Sequence, residues 1–483
     1  MTVTTLAAAI GGDLVVGTDP AASDRPVIDL THDSRRVAAG WAFACVRGSQ
    51  RDGHDHAGEA LASGASCLLV DREIGAGADP AGVVIRVPDV RSSLGSASAV
   101  VHGNPSASLS TIGVTGTAGK TTVTHAIADV LSALGEPSSV LGTLDGARTT
   151  PEAPDLQRWL AQRLRAGDRH AAIEVSSHAL TLGRVEATQF AVAVFTNLGA
   201  EHLDFHETME EYFRAKARLF DGRAEVGVVN RDDPWGMRLV ERTGGVRCVT
   251  YGWSDMQDAA VAADGSTFRW QGHVARTRLV GRFNLLNLAA AGRVASELGH
   301  RSPDIAEAMA QVRPVRGRME RVAVSGSDLH VLVDYSHKPD ALLAALTAAR
   351  ELTEGHLWVV FGAGGDRDRA KRPLMGLAAA EAADSVVVTS DNPRSEEPMA
   401  IIDEVVGGIV DPHARSRVIV EGDRATAIGL AVSGAAPGDV VVVAGKGHEA
   451  TQVIGDRVVD FDDAAIARRA LEQRVRERGA AAR

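Results

Sequence analysis

One segment, residues 110–136, constrains the fold most strongly, because a glycine-rich turn joins a strand pattern to a helix pattern. The apolar run STIGV leads into Gly116-Thr117-Ala118-Gly119-Lys120-Thr121-Thr122, where the amphipathic stretch TTVTHAIADVLSALGE begins. Glycine lets the backbone turn sharply and approach a ligand, and the N–H groups at a helix start attract anions. The segment therefore predicts a phosphate-binding loop, with Lys120 reaching the β- and γ-phosphates and Thr121 holding Mg²⁺.

The spacing of this loop differs from the full G-x-x-x-x-G-K-T pattern. Val114 stands where that pattern has its first glycine, so the match is to a shorter GTxGKTT form. The alternative is a glycine-rich turn that merely precedes a helix. The strand pattern before the loop and the GKTT sequence within it favour the phosphate site.

The rest of the chain repeats the alternation of short apolar runs with amphipathic stretches, which is typical of an α/β protein with parallel strands. Strands are predicted within 67–70, 110–116, 191–198, 357–364, 385–391 and 439–447. A chain of 483 residues is too long for one core and indicates about three domains. Turn-rich segments at 102–110 and 312–322 place the predicted domains at 1–107, 108–313 and 314–483.

Composition excludes several classes of function. The net charge of −11 argues against a nucleic-acid-binding surface. The three cysteines, Cys45, Cys67 and Cys248, are scattered, which disfavours a disulfide framework and a cysteine-rich zinc site. No basic leader or apolar run of membrane-spanning length is present, so we expect a cytoplasmic chain without membrane insertion. The sequence gives no oligomeric state.

Lysine is rare in this chain, since only five of its 51 Lys and Arg residues are lysines. Arginine serves wherever a simple cation suffices, so each lysine indicates a need for a compact charge or a neutral amine. Lys216 lies between Arg214 and Arg218 on a predicted helix, where a solvated helix face is the alternative. We expect Lys371 and Lys446 in strand-end loops of the C-terminal domain.

A set of motifs, in order along nearly the whole chain, resembles the Mur ligase family, and most closely its diaminopimelate-adding branch. The motifs are THDSRRV (31–37), DGHD (52–55), GNPS (103–106), GTAGKTT, TTPEA (149–153), EVSSHAL (174–180), FTNLGAEHLDFHETMEEYFRAKARLF (195–220), FNLLNLAAA (283–291), VRGRMERV (315–322), VDYSHKPDAL (333–342), FGAGGDRDRAKRPLMG (361–376), TSDNPRSEEPMAII (389–402), AGKGHE (444–449) and FDD (461–463).

This resemblance implies a three-domain Mur ligase architecture. It has an N-terminal domain for a UDP-linked substrate, a central P-loop ATPase domain and a C-terminal Rossmann-like domain that binds the amino acid. The implied reaction uses ATP to activate the carboxylate of UDP-N-acetylmuramoyl-L-alanyl-D-glutamate as an acyl phosphate, which the amine of meso-diaminopimelate attacks. This reaction belongs to peptidoglycan precursor synthesis.

The resemblance also implies roles for residues around ATP and Mg²⁺. The ATP-binding residues are Gly116, Thr117, Gly119, Lys120, Thr121, Thr122, Asn287, Arg318, Asp334 and His337. Metal ligands are Thr121, Glu174, His202 and Lys216, the last if it is carbamylated. A neutral, nucleophilic amine is required for carbamylation, which an arginine cannot offer. The implied catalytic residues are Lys120, Lys216 and His202.

Two further groups of residues resemble contacts to the other substrates. For the UDP-linked substrate they are Ser34, Thr149, Thr150, Ser176 and Arg184. For the amino acid they are Arg367, Asp391, Asn392, Arg394, Gly445 and Glu449. Arginine pairs with carboxylates in a fork geometry, and acidic side chains can hold an ammonium group, so this set suits a diamino acid with an extra carboxylate.

Seven residues, at five places in the chain, depart from the family pattern. Ala118 stands where asparagine is usual, Gly199-Ala200-Glu201 replaces Ser-Arg-Asp, and Leu182, Ser336 and Lys338 replace other common residues. The departures leave open a related ligase with a different amine or acceptor in a specialised pathway. A non-catalytic nucleotide-binding regulator is a second alternative, and a folylpolyglutamate-synthetase-like ligase is a third. The DSRR, DGHD and DNPR segments argue against the third.

Overall fold

The computed structural model describes residues 1–16, 20–48, 51–74, 82–146 and 148–481. The chain forms two compact units. The first comprises Met1–Gly252 and Ala289–Ala308, and the second comprises Trp253–Leu288 and Met309–Arg483. Over the described ranges, no helix combines the length and apolar character needed to cross a membrane.

The first unit begins with a five-stranded sheet of order β1-β5-β4-β3-β2, in which only the β1–β5 pair is antiparallel. One face packs on α1 and α3 through a core of Leu, Val and Ala side chains. The elements are α1 (Val3–Ile10), β1 (Asp13–Val16), β2 (Asp29–Thr31), β3 (Trp41–Ala44), α2 (Ala57–Ala62), β4 (Cys67–Val70), β5 (Val83–Arg86) and α3 (Val90–Val101).

The second sheet of this unit is fully parallel, with order β11-β10-β9-β6-β8-β7. Its four inner strands are mainly apolar, as is typical of a parallel sheet with helices on both faces. The elements are β6 (Ser110–Thr115), α4 (Lys120–Ala133), β7 (Ser138–Leu141), α5 (Ala153–Arg165), β8 (His170–Glu174), α6 (Ser177–Thr181), β9 (Phe190–Phe195), α7 (Leu203–His206), α8 (Met209–Ala217), β10 (Ala224–Asn230), α9 (Pro234–Arg242) and β11 (Arg247–Tyr251).

The second unit contains a three-stranded antiparallel sheet, β12-β13-β14, and a six-stranded sheet of order β15-β16-β20-β17-β18-β19. In the larger sheet only β15 runs antiparallel to its neighbour. The strands are β12 (Met256–Ala262), β13 (Gly265–Trp270), β14 (His273–Thr277), β15 (Glu320–Val322), β16 (His330–Asp334), β17 (Leu357–Phe361), β18 (Ser385–Val388), β19 (Val418–Val420) and β20 (Val440–Ala444), followed by the hairpin β21 (Thr451–Ile454) and β22 (Arg457–Asp460).

Helices flank both faces of the larger sheet, and two apolar cores fill the space between. They are α12 (Pro339–Arg350), α13 (Lys371–Ala382), α14 (Pro398–Gly407), α15 (Pro412–Arg415), α16 (Arg424–Gly434) and α17 (Asp463–Ala481). Two further helices, α10 (Arg282–Glu297) and α11 (Ser302–Met309), contain the points where the chain passes between the units.

All six predicted strands are present. β4 has its predicted range, and the other five end one to three residues before the predicted end, where the chain turns into a loop. The α/β class is confirmed. Lys371 differs from expectation, because it is the first residue of α13 rather than part of a loop. The predicted boundaries near 107 and 313 remain predictions, since the chain forms two compact units and the first unit contains two separate sheets.

Candidate active site

The loop between β6 and α4 has the geometry of an anion-binding turn. Gly116 has φ +153°, and a Cβ atom there would collide with the hydroxyl of Thr196. Gly119 has φ +85° and immediately precedes the first residue of α4. Both positions require glycine because other residues are strained at these φ values. The loop therefore leads directly into the N-terminus of a 14-residue helix, as the sequence predicts.

The segment after β9 holds this loop in place, a role that sequence analysis missed. Asn197 Oδ1 accepts a hydrogen bond from Ala118 N (2.9 Å), and Asn197 Nδ2 donates to Ala118 O (3.2 Å). Thr196 Oγ1 also donates to Ala118 O, at 2.7 Å. Because the backbone of Ala118 makes these bonds, they do not depend on its side chain. The FTNL motif identifies this segment in the sequence, but no spacing rule predicts that it contacts the phosphate loop.

Two of the five lysines converge on one carbonyl oxygen of the loop. Lys120 Nζ donates to Gly116 O at 2.8 Å and to Thr117 O at 2.9 Å. Lys216 Nζ donates to the same Gly116 O at 2.7 Å and lies 4.5 Å from the centre of the Tyr212 ring. Only 1% of Lys216 is exposed, so the alternative of a solvated helix face is wrong.

The environment of Lys216 favours an uncharged amine. Burial lowers its pKa well below the usual range of lysine, and the nearby charge of Lys120 lowers it further. The carboxylate of Glu201 acts in the opposite direction but does not outweigh burial. A neutral amine is a nucleophile, so this environment favours the chemical state that carbamylation requires.

Glu174, the last residue of β8, is buried beside the loop strand. Its carboxylate accepts hydrogen bonds from Thr143 N (2.9 Å) and Thr143 Oγ1 (3.1 Å). The strands β6 and β8 are adjacent, and Val114 lies opposite Glu174 in the register. The Glu174 carboxylate and the Thr121 hydroxyl are hard oxygen donors of the kind that Mg²⁺ prefers, so their chemistry fits this ion.

His202 precedes α7 in a left-handed backbone conformation, with φ +57°. Its ring centre lies 5.0 Å from that of His178 and 6.0 Å from that of Tyr212, and its Nε2 lies 3.6 Å from Glu201 Oε1. Across the described ranges, no group of three or more His, Cys, Asp and Glu side chains is arranged to hold a metal ion. The metal-binding role of His202 therefore stays a prediction.

Thr150 connects most of the residues predicted to contact the UDP-linked substrate. Its hydroxyl donates to Glu174 O at 2.7 Å and accepts from Ser176 N at 3.1 Å. Arg184 Nη1 donates to Thr150 O at 3.2 Å. Thr149 immediately precedes Thr150 in the chain. The structure thus gathers four of the five predicted residues beside Glu174, while Ser34 lies in a short 3₁₀ turn after β2.

A buried glutamate in this cluster was not singled out from the sequence. The Glu152 carboxylate accepts hydrogen bonds at 2.9 Å from Arg91 Nη1, Arg148 Nη1 and Arg184 Nε. Three guanidinium groups around one carboxylate leave an excess of positive charge, which suits an anionic substrate. The TTPEA motif contains Glu152, but Arg91 is distant in sequence and no pattern connects the two.

In the second unit, the predicted nucleotide contacts surround Tyr335. The Asp334 carboxylate accepts hydrogen bonds from Met319 N and Ser336 N, both at 2.8 Å. The guanidinium carbon of Arg318 lies 4.8 Å from the centre of the Tyr335 ring, and the ring centre of His337 lies 4.6 Å from it.

His337 is also tied to the start of α13. Lys371 Nζ donates to His337 O at 2.9 Å, and burial lowers the pKa of the His337 imidazole. The remaining predicted contact, Asn287, is buried in α10.

Residues predicted to bind the amino acid meet at the carboxyl ends of β18 and β20. Asn392 Nδ2 donates to Glu449 Oε2 at 2.9 Å, and the buried Lys446 donates to Asn392 Oδ1 (3.1 Å) and Glu449 Oε2 (3.2 Å). Gly445 has φ +112°, and a Cβ atom there would lie 2.7 Å from Asp391 Oδ2. In open α/β sheets this edge is where ligands bind.

The two predicted carboxylate-binding arginines lie against the same glycine of the loop after β17. A Cβ atom on Gly364 would lie 3.1 Å from Arg394 Nη1 and 3.7 Å from Arg367 Cγ. Arg394 also donates to Gly365 O at 2.6 Å and has φ +52°. The structure therefore brings Arg367 and Arg394 together, as the resemblance implies.

The glycine loop, the buried acid of the neighbouring strand and the helix start together define a P-loop ATPase built on a parallel α/β sheet. Three family models match the chain: "Mur ligase family, catalytic domain" over residues 28–100, "Mur ligase middle domain" over 114–295, and "Mur ligase, glutamate ligase domain" over 317–447.

Individual relatives match over almost the full length. The UDP-N-acetylmuramoyl-L-alanyl-D-glutamate–2,6-diaminopimelate ligase of Parasynechococcus marenigrum is 43% identical, covering 94% of this chain and 96% of the relative. A solved structure of a ligase with the same name is 32% identical, with a TM-score of 0.70 over 98% of this chain and 99% of that one. The MurF ligase of Thermotoga maritima, solved in complex with ADP, is 20% identical and shares the fold, with a TM-score of 0.64 over 94% and 99%.

The chain belongs to the Mur ligase family. The predicted architecture, with three Mur ligase domains, is thereby confirmed. The roles of individual site residues remain predictions.

Proposed function

We propose that this chain uses ATP to join meso-diaminopimelate to UDP-N-acetylmuramoyl-L-alanyl-D-glutamate, releasing ADP and phosphate. The observation that carries the proposal is the 43% identity, over 94% of the chain, to a ligase named for these two substrates. The reaction makes a precursor of peptidoglycan in the cytoplasm, where ATP is supplied.

The first step forms an acyl phosphate on the UDP-linked substrate. A carboxylate oxygen attacks the γ-phosphorus of ATP, the bond to the β–γ bridging oxygen breaks, and ADP leaves. Lys120 exchanges its bonds to Gly116 O and Thr117 O for the transferring phosphoryl group, whose charge it neutralises. The backbone N–H groups at the start of α4 bind the remaining phosphate oxygens.

The second step forms the amide bond. The neutral amine nitrogen attacks the acyl carbon, a tetrahedral intermediate forms, phosphate leaves, and the nitrogen loses a proton. Asp391 and Glu449 hold the distal ammonium of the incoming amino acid, and Arg394 and Arg367 pair with its distal carboxylate. These residues act by orienting the amine, which accounts for a large part of the rate in two-substrate reactions.

The UDP-linked substrate lies, in this proposal, along Thr149, Thr150 and Ser176, with Arg184 pairing with an anionic group. The bonds from Glu152 and Thr150 O to Arg184 fix the direction of its guanidinium group. Ser34 contributes a contact from the N-terminal sheet.

We assign Mg²⁺ to Thr121 and Glu174, with His202 and carbamylated Lys216 as the further ligands. When bound, the ion supplies positive charge next to the phosphate oxygens. Carbamylation joins the Lys216 nitrogen to the carbon of CO₂, and the nitrogen releases a proton, so the product is a carbamate anion. The burial of Lys216 and the proximity of Lys120 support this assignment, because both favour the neutral amine.

The modification has a direct test. Protein incubated with ¹³C-bicarbonate should show a carbamate carbon resonance that is absent from Lys216→Met. Arg214→Met, on the exposed part of the same helix, is the matched control and should retain the resonance. A wild-type spectrum without a carbamate signal contradicts the assignment.

The proposed reaction is tested by measuring phosphate release with all three substrates and with each one omitted. We expect release only when ATP, the UDP-linked dipeptide and meso-diaminopimelate are all present, with a product whose mass equals the two joined substrates less one water. Phosphate release that is independent of the amine, or no turnover with any diamino acid, contradicts the proposal.

A further inference from the structure

A fully buried ion pair lies beneath the loops that carry the proposed amino-acid site. Arg424 is the first residue of α16 and Asp463 is the first residue of α17, and both side chains are 0% exposed. Arg424 Nε donates to Asp463 Oδ1 at 2.8 Å and Nη2 donates to Asp463 Oδ2 at 2.7 Å. This bidentate geometry fixes the plane of the guanidinium group.

The same guanidinium group contacts both strand ends. Arg424 Nη2 donates to Ala444 O at 2.9 Å, and Nη1 lies 3.5 Å from Ser390 O. Ala444 is the last residue of β20 and precedes Gly445, and Ser390 immediately precedes Asp391. Arg424 therefore links the backbones from which the two amino-acid-binding loops begin.

The pair is also electrostatically connected to the site. The carboxylates of Asp391 and Glu449 add to that of Asp463 in raising the pKa of the Arg424 guanidinium, although its burial acts in the opposite direction. Within the loops, Lys446 joins Asn392 to Glu449. The two loops are thus connected through Arg424 at Ser390 and Ala444 and through Lys446 at Asn392.

Stability alone does not account for this pair. Replacing a buried ion pair with apolar residues of similar volume often leaves stability unchanged or raises it, because removing two charges from water is costly. A guanidinium group, in contrast to an apolar side chain, can bind one carboxylate and two carbonyl groups in fixed directions.

We propose that Arg424 and Asp463 are positioning residues that set the separation of the Asp391–Arg394 and Gly445–Glu449 loops and thereby the affinity for the incoming amino acid. This inference rests on the proposed function, since it concerns the same amine. Small displacements of groups that orient a substrate are enough to reduce the rate of a two-substrate reaction substantially.

The test compares three variants: Arg424→Gln, the double variant Arg424→Met with Asp463→Leu, and the control Arg474→Gln. The double variant leaves no unpaired buried charge and so is expected to fold. Arg474 lies in α17 like Asp463 and forms a bidentate pair with Asp328, at 3.0 and 3.1 Å, but contacts neither loop.

We expect the KM for the amine to rise about tenfold or more in the two Arg424 variants, with the KM values for ATP and the UDP-linked substrate within twofold of wild type. Backbone amides of residues 390–394 and 444–449 should exchange hydrogen faster in the double variant. The control should change neither quantity. A uniform effect on all three KM values, or unchanged amide exchange in both loops, overturns the inference.

The outcome also separates this inference from the proposed function. If wild-type protein turns over no diamino acid, the proposed function fails and this inference fails with it. If wild-type turnover is normal and the double variant has an unchanged amine KM, only the inference is wrong.

Discussion

The phosphate loop and the amino-acid loops hold their functional side chains by different means. In the phosphate loop, Lys120 and Lys216 both donate to the backbone oxygen of Gly116, so both amines are held by the main chain. In the amino-acid loops, Lys446, Asn392 and Glu449 bond to one another through their side chains.

This difference predicts different consequences of substitution. The phosphate loop depends on the backbone geometry of its glycines and on two lysine amines. Substitutions there should therefore lower the rate of the chemical step. The amino-acid loops depend on mutual side-chain contacts, so substitutions there should weaken binding of one substrate. Kinetic measurements that separate kcat from each KM can therefore confirm or refute the contrast.

The largest effect is expected for Lys120→Met. Loss of the cation that faces the transferring phosphoryl group should reduce kcat by about 10³-fold, as removal of one preorganised charge-stabilising group does in other enzymes. Phosphate release measures the rate, and circular dichroism checks the fold. A loss of less than tenfold would remove Lys120 from the phosphoryl-transfer step.

Next in size is the effect of Lys216→Arg, which places a permanent cation where the proposed carbamate anion forms. We expect kcat to fall by about 10²-fold or more, since the substitution removes the carbamate from the reacting centre. Arg214→Met is again the matched control and should behave as wild type in the same assay. Near-normal kcat in Lys216→Arg contradicts a chemical role for the amine.

A smaller loss, confined to one substrate, is expected for Arg394→Ala. Loss of a charged pair worth a few kcal/mol should lower kcat/KM for meso-diaminopimelate by about 10²-fold, mainly through KM. Arg415→Ala, at an exposed position of α15 in the same unit, should have no effect. Equal increases in KM for ATP and for the amine would contradict the difference between the phosphate loop and the amino-acid loops.

The smallest effect on catalysis is expected away from both loops, at Asp29. Burial raises the pKa of this carboxyl, but the His102 ring, whose Nε2 lies 3.2 Å from Asp29 Oδ1, and the hydrogen bonds from Arg158 outweigh burial and hold the pKa well below its usual range. Arg158 donates to it at 2.7 and 2.8 Å, linking β2 to α5 within the first unit. Asp29→Asn should lower the free energy of unfolding by about 1–3 kcal/mol at pH 7.

The pH dependence of this loss has a definite sign. A carboxyl whose pKa is depressed by folding stabilises the protein above its unfolded value of 3.8, and this contribution is lost as the pH falls through the folded value. Denaturation curves should therefore show the difference between Asp29→Asn and wild type at pH 7 and a shrinking difference below pH 3.8. A difference that grows on acidification contradicts the assigned interaction.

The sequence alone predicted the phosphate loop because its chemistry depends on residues that are contiguous. Gly116, Gly119 and Lys120 occupy one turn, and local periodicity located β6 and α4 on either side. The amino-acid site came only from the family resemblance, since its residues come from three loops that are far apart in the chain. A pattern in one loop cannot specify contacts to another.

Burial and partner choice were the main features that the sequence did not predict. Periodicity did not distinguish a buried Lys216 from an exposed one, because Arg214 and Arg218 flank it on the same helix. Glu152 has one partner four positions away, Arg148, but its other partners, Arg184 and Arg91, lie 32 and 61 positions away. Asp463 lies 39 positions from Arg424, so short-range spacing does not reveal these longer pairs. The antiparallel sheet β12–β14 was also not predicted.

Ligation of meso-diaminopimelate by this chain is best tested by comparing kcat/KM for meso-diaminopimelate and L-lysine with the same UDP-linked acceptor. The two amines differ by one carboxylate, the group that Arg394 and Arg367 are proposed to bind. We predict at least a 10²-fold preference for meso-diaminopimelate, as expected when a charged pair with the substrate is not formed. Equal use of L-lysine, or a preference for it, would contradict the account.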